Sequence, residues 1–320
     1  MKEIGIMEVG GFKVGHAHNQ EAATGCTVVI CDTMSPAGVD VRGGGPAARE
    51  SQLLSPVAAA EGIHAILLSG GSAFGLDAAG GVQAYLEERN IGFDVGVTKV
   101  PLVCQSCLFD LTVGSKDVRP DQAMAYAACE NASYNEPAEG NVGAGIGCSV
   151  GKYRGMERAM KSGFGTYALQ AGHLKVGALV AVNAFGDIYS HNGKQFAGLL
   201  NTEKDGLSNT LDEMFGDVSI AENLFVGNTT LGIVVTNAKF PKAMLTKIAG
   251  MTHNGYARAI RPVHTNVDGD SIYALSVGNE QGDVNVVGAM AARAMEMAIE
   301  RAVRSAQSAY GLPGCESITL

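Results

Sequence analysis

Basic residues are in short supply in this 320-residue chain: 23 lysines and arginines face 32 aspartates and glutamates, for a formal net charge of −9. Such a balance repels a phosphate backbone, and no basic stripe interleaved with aromatics offsets it, so nucleic acid is not an expected partner. Long apolar runs are missing too. None approaches the roughly 20 residues of a membrane-spanning helix, and the amino-terminal "MKEIGIMEVG" lacks the apolar core of a signal peptide. The expectation is a soluble, cytoplasmic protein with no membrane partner. The seven cysteines are odd in number and dispersed, which suits reduced thiols better than a disulfide framework. Cys104 and Cys107 form a CxxC, but no second pair accompanies them, so they read as buried thiols rather than a zinc site. No internal repeat is evident.

What is present is glycine, 43 residues spread between short apolar segments, the pattern of tight turns in a chain that mixes strands and helices. Strand-like runs fall at 26–31, 65–71, 175–188, 230–238 and 271–278, and helical spacing at 75–90, 121–132, 241–260 and 284–310. Residues 200–222, polar and acidic, read as a surface segment or flexible loop.

Several familiar motifs come close and fail. In "GAGIGCSVGKY" a phosphate loop would need glycine at Ile146 and a hydroxyl at Tyr153, and a dinucleotide fingerprint would need glycine at Cys148. "GGSAFG" puts Phe74 where a nucleophile elbow around Ser72 needs its last glycine. These clusters read as turns. More telling are a few polar residues in unusual surroundings. Asp268 and Asp270, in "VHTNVDGDSIYAL", stand two apart at the head of a strand, as a solvated turn or as paired carboxylates sharing a site. Lys152 follows a glycine-rich turn, as a solvated lysine or a site residue, and Asn183 lies within the apolar "LVAVNAFGDI", as a satisfied core amide or a donor aimed into a site. His253 and His264 are near the aspartates, with nothing in the spacing to define a triad. Finally, "LFVGNTTLGIVVTN" places two threonines after a Gly-Asn turn at the mouth of a buried strand.

Six blocks together carry a resemblance: "VDVRGGGPAARES", "ILLSGGSAFGLDAAGGV", "VGAGIGCSVGK", "VGALVAVNAFGDI", "NTTLGIVVTNAKF" and "GYARAIRPVHTNVDGDSIYALSVG". In this order, from about residue 12 to residue 310, the chain resembles the self-processing aminopeptidases that include the D-aminopeptidase/esterase, the β-peptidyl aminopeptidases and the nylon-oligomer hydrolase. The resemblance implies a single α/β domain, an Ntn-hydrolase-like four-layer αββα sandwich. It is made as a precursor that cuts itself between Asn228 and Thr229 into a large chain, 1–228, and a small chain, 229–320.

Thr229 would then be the amino-terminal nucleophile, with its own α-amine as base. Lys152 would depress that amine's pKa or relay a proton, Asp268 and Asp270 would orient Lys152 and the hydroxyl, and Asn183 would donate to the oxyanion. No metal or cofactor is implied; the partners are a small peptide or amide substrate and other copies of the chain, as a homo-oligomer of tetramer type. An acyltransferase of the ornithine acetyltransferase type, with a similar fold and a self-cleaved threonine, is the alternative, and an uncleaved, non-catalytic assembly or binding protein a third reading. The chain departs from many relatives in having Asn-Thr where they carry Gly-Ser at the cut and Val267 where they carry Phe. Cys104 and Cys107 also stand where small apolar residues are expected.

Overall fold

A computed structural model describes residues 1–217 and 227–318. The chain opens with β1 (Lys2–Ile4), β2 (Phe12–Asn19), β3 (Thr24–Ser35), β4 (Ala37–Val41), β5 (Ala47–Arg49) and β6 (Ile63–Ser69), then runs through α1 (Ala79–Glu87), β7 (Val103–Cys107) and α2 (Gln122–Glu130). It continues with β8 (Phe164–Ala171), β9 (Leu174–Ala181), α3 (Thr210–Gly216), β10 (Leu231–Ala238), α4 (Lys242–Ala259), β11 (Ser271–Glu280) and α5 (Val284–Arg304). The two largest sheets among the described residues are a six-stranded one in the order β1-β8-β9-β10-β11-β4 and a five-stranded one in the order β2-β3-β6-β7-β5.

The period-2 alternation of the strands accounts for the layering. In β9, Val176, Ala178 and Val180 face α4 and α5, packing with Ile248, Ala294 and Ala298, while Leu179 and Ala181 face the second sheet. In β3, Val29 points between the sheets and Val28 points outward to Val82 and Ala125 of α1 and α2. Three apolar layers therefore separate helix, sheet, sheet and helix, and the fold is the four-layer αββα sandwich that the resemblance implies. The helices start on local signals: Asp121 accepts from the Met124 N–H, and Asp283 from those of Asn285 and Val286, each a cap worth about 1 kcal/mol.

Two features differ from expectation. The segment 200–222 is not simply a loop, because Thr210–Gly216 is helical and tied down at its start. Buried Asp187 accepts from both the N–H and the hydroxyl of Thr210 at 2.7 Å, and Glu213 pairs with Arg154 and Arg158 at 2.6 Å each. Residues 218–222 of that segment, and Leu224-Phe225-Val226, lie outside the described residues. The apolar run 175–188 is not one strand either: β9 ends at Ala181 and a separate short strand, Asp187–Tyr189, follows.

Candidate active site

Strand order brings the distant segments of the site together. β9 pairs antiparallel with β10 so that Ala181 lies opposite Leu231, and β10 pairs parallel with β11 so that Leu231 lies opposite Ser271. The end of β9 and the starts of β10 and β11 therefore lie together at one end of the sheet. Asn183, Thr229, Thr230, Asp268 and Asp270 converge there because each lies within three residues of those three points. Lys152 is delivered by a backbone pairing, Gly151 N–H to Gly186 O at 3.0 Å and Lys152 N–H to Phe185 O at 3.0 Å. Gly151 has φ +70, and a Cβ there would lie 2.0 Å from the Gly198 carbonyl carbon; only glycine makes that turn so close to another backbone.

Lys152, Asn183, Thr229, Asp268 and Asp270 are all no more than 4% exposed. The solvated readings of Lys152 and of the Asp-Gly-Asp turn are therefore overturned. Lys152 Nζ donates to Asn183 Oδ1 at 2.8 Å, to the Asn183 carbonyl at 3.2 Å and to the Gly227 carbonyl at 3.3 Å. Desolvation pulls its pKa down to about 7, so a neutral amine is within reach at ordinary pH. Asn183 lies two residues beyond its strand rather than inside it. Its Oδ1 also accepts from the Ser149 N–H at 3.1 Å, its Nδ2 donates to the Phe109 carbonyl at 2.8 Å, and its carbonyl accepts the Thr229 N–H at 2.9 Å.

The aspartates depart from the expected arrangement. Neither makes a hydrogen bond to Lys152 among the described residues. Asp268 accepts from the N–H of Thr265 at 2.9 Å and from its hydroxyl at 2.5 Å, while Asp270 accepts from the Thr230 N–H at 2.8 Å and from His264. Burial, then the neighbouring Asp270 charge, pushes Asp268 up to about 6. Between them, Gly269 passes so near the nucleophile position that a Cβ there would sit 2.5 Å from Thr229 Oγ1. The Asp-x-Asp spacing thus needs glycine at its centre to let the hydroxyl in.

Thr229 has φ +132, a conformation that a β-branched residue rarely adopts. It borders a cavity of about 220 Å³ formed on one side by Gly227, Asn228, Thr229, Asn266 and Val267 and on the other by Gly45, Ala47, Ser72, Cys107 and Phe109. Ser72, dismissed as part of a turn, and Phe109 thus reach the site from the second sheet, which no local signal in the sequence announces. Asp110 was missed as well. Buried beside the site, it accepts from the Thr24 hydroxyl and the Gly71 N–H, each at 2.7 Å, and burial pushes it up to about 6.

A buried lysine, a threonine at positive φ beside a cavity and two neighbouring carboxylates thus converge on one end of the larger sheet of an αββα sandwich. Residues 5–316 match the model of Peptidase family S58, and the chain belongs to that family, a hydrolase of amide bonds. It is 34% identical to an uncharacterized aminopeptidase of Mycobacterium leprae, over 96% of this chain and 92% of that protein. It is 30% identical to the 6-aminohexanoate-oligomer endohydrolase of Kocuria sp., over 92% and 84%. Among solved structures, a Burkholderia sp. β-aminopeptidase superposes with a TM-score of 0.70 at 20% identity, covering 98% of this chain and 91% of that one. The L-aminopeptidase D-Ala-esterase/amidase of Ochrobactrum anthropi gives 0.69 at 17% identity, covering 94% and 86%.

Proposed function

We propose that the protein cuts itself before Thr229 and then hydrolyses small peptides or other linear amides through an ester on that residue. The Thr229 hydroxyl adds to the Asn228 carbonyl, the C–N bond breaks, and the acyl group moves from nitrogen to oxygen. Water then cleaves the ester, leaving the Asn228 carboxylate and a free Thr229 α-amine. The observation that carries this reading is Thr229 itself, held at φ +132 next to a cavity. Backbone strain of this kind costs on the order of 1–3 kcal/mol and is released when the preceding peptide opens.

In the mature enzyme the α-amine, with an ordinary pKa of about 7.7–8.0, takes the hydroxyl proton as Oγ attacks the substrate carbonyl. Lys152, linked to Thr229 through the Asn183 carbonyl that both contact, relays that proton towards the leaving amine. Asn183 Nδ2 carries two N–H groups and spends one on Phe109; the other is the donor we assign to the oxyanion. Asp268 and Asp270 then act on the loop and on the peptide after Thr229, with a long-range charge effect on Lys152. Water hydrolyses the ester and returns the enzyme.

The test is the intact mass of denatured protein with turnover of an activated amide. The expected result is two fragments, 1–228 and 229–320, and a single inactive chain for Thr229→Ala. Turnover by a wild-type preparation that contains only the full-length chain rejects the proposal.

A further inference from the structure

His264 is a histidine that the chemistry above leaves unused. Its main-chain N–H and its ring Nδ1–H both donate to the same carboxylate oxygen, Asp270 Oδ2, at 3.1 and 2.9 Å. The other oxygen, Oδ1, accepts the Thr230 N–H at 2.8 Å. The ring is held on two sides, stacked on Tyr256 with centroids 5.9 Å apart and meeting the edge of His253 at 4.7 Å. His253 is anchored in turn, through Nε2 to the Asp40 carbonyl at 3.1 Å and the Asp40 carboxylate at 3.3 Å. The backbone of His264 has φ +59, uncommon for a residue other than glycine.

We propose that His264 is a positioning residue: it fixes the Asp270 carboxylate and, through it, the peptide that follows Thr229. The inference rests on the self-cleaving amide hydrolase reading. The terminal torsion of an aspartate is broad and roughly two-fold, so a carboxylate held only by the Thr230 N–H and the main-chain N–H of residue 264, the state left when the ring is replaced, keeps room to swing. Two donors from one residue on Oδ2 remove that freedom and aim Oδ1 at the Thr230 N–H. Thr229 is then pinned at both ends, by its own N–H on the Asn183 carbonyl at 2.9 Å and by the next N–H on Asp270. The strained residue is held between two fixed points, and His264 secures one of them. A ring present only to fill the core has no reason to spend its Nδ1–H on the same oxygen that its backbone already binds.

Two substitutions separate positioning from packing. His264→Phe keeps a ring against Tyr256 and His253 but loses the Nδ1 donor; His264→Asn loses the ring but offers an amide N–H to Asp270. Self-cleavage is followed by intact mass and hydrolysis by steady-state rates, in protein whose cooperative melting shows it folded. The expected result is that His264→Phe lowers the self-cleavage rate and kcat by about 10²-fold, the scale of a small misplacement of reacting groups, with KM within about twofold. His264→Asn should recover at least about a tenfold part of that loss, and His264→Phe added to Asp270→Asn should cost little beyond Asp270→Asn alone, as for residues acting as one unit.

A His264→Phe enzyme that matches wild type, or an Asn variant worse than the Phe variant, overturns the inference while wild-type activity upholds the parent reading. Wild type that neither cuts itself nor turns over an activated amide overturns the parent reading and this inference with it. If either single variant fails to melt cooperatively, the double-mutant comparison is made with the other, and additive losses there overturn the inference.

Discussion

Lys152 and Lys161 stand nine positions apart in one stretch of chain; both are essentially inaccessible to solvent, and both donate to three oxygens. Burial pulls both pKa values down, Lys152 to about 7 and Lys161 to about 8. What differs is the company they keep. Lys161 caps the carbonyls of Gly145, Cys148 and Ser162, all within its own turn region. Lys152 instead reaches Asn183 and Gly227, residues that border the nucleophile position from two other parts of the chain. A lowered lysine pKa is therefore no mark of catalysis by itself; what matters is whether the amine touches a segment that reacts.

The largest expected effect follows from that contrast. Lys152→Met should slow both self-cleavage and hydrolysis by about 10²–10⁴-fold, the range for loss of a positioned proton-transfer group. Lys161→Met should leave both rates within about tenfold of wild type. Its cost appears in stability, because the Gly145 and Cys148 carbonyls keep backbone donors, from Cys148 and Ser162 N–H, while the Ser162 carbonyl loses its lysine. One buried carbonyl left without that donor is worth about 1–3 kcal/mol, readable as a lower denaturant midpoint. Equal rate losses in the two variants would erase the distinction.

The pH dependence sharpens it. In the precursor the Thr229 nitrogen is still an amide, so the self-cleavage rate is free of the α-amine's titration. That rate should rise with pH and level off near 7, where Lys152 loses its proton, and the bend should stay in place in Lys161→Met. A bend that moves when Lys161 is removed assigns the titration to the wrong lysine.

Much of the scaffold was legible in the sequence, and the reason lies in its periodicity. Ile-Val-Val in β10 and Val-Gly-Ala-Leu-Val in β9 announce buried strands, and the helical spacing over 284–310 announces α5. The polar candidates were legible as oddities, but their surroundings were not. The burial of Lys152 depends on Gly151 turning against Gly198, and the roles open to Asp270 depend on Thr230, forty positions earlier. Neither contact is encoded locally. The helix Thr210–Gly216 was hidden for the same reason, since Asp187, Arg154 and Arg158 hold an acidic segment that by composition belongs in solvent. His264 was noticed for its nearness to the aspartates, yet only the folded loop puts two of its N–H groups on one oxygen.

The smallest effect is a linkage difference between the two lysines. Each has a folded-state pKa below the unfolded value of about 10.4, so between the two values the unfolded chain binds more protons and stability rises with pH. For Lys152 that window opens near 7 and for Lys161 near 8. The buried aspartates pushed up to about 6, Asp110, Asp187 and Asp268, act in the opposite sense but only at lower pH. Thiols held protonated by burial, such as Cys31 and Cys104 at about 12, also oppose the rise above about 8.5, and they do so in both variants. In an uncut Thr229→Ala background, the stability gained between pH 7 and pH 9.5 should therefore be smaller after Lys152→Met than after Lys161→Met, by an amount on the order of 1 kcal/mol per pH unit of extra window. Denaturant titrations at the two pH values measure it. Identical gains would mean that the two amines are desolvated alike, and that position alone, without any difference in proton affinity, separates the lysine at the site from the one beside it.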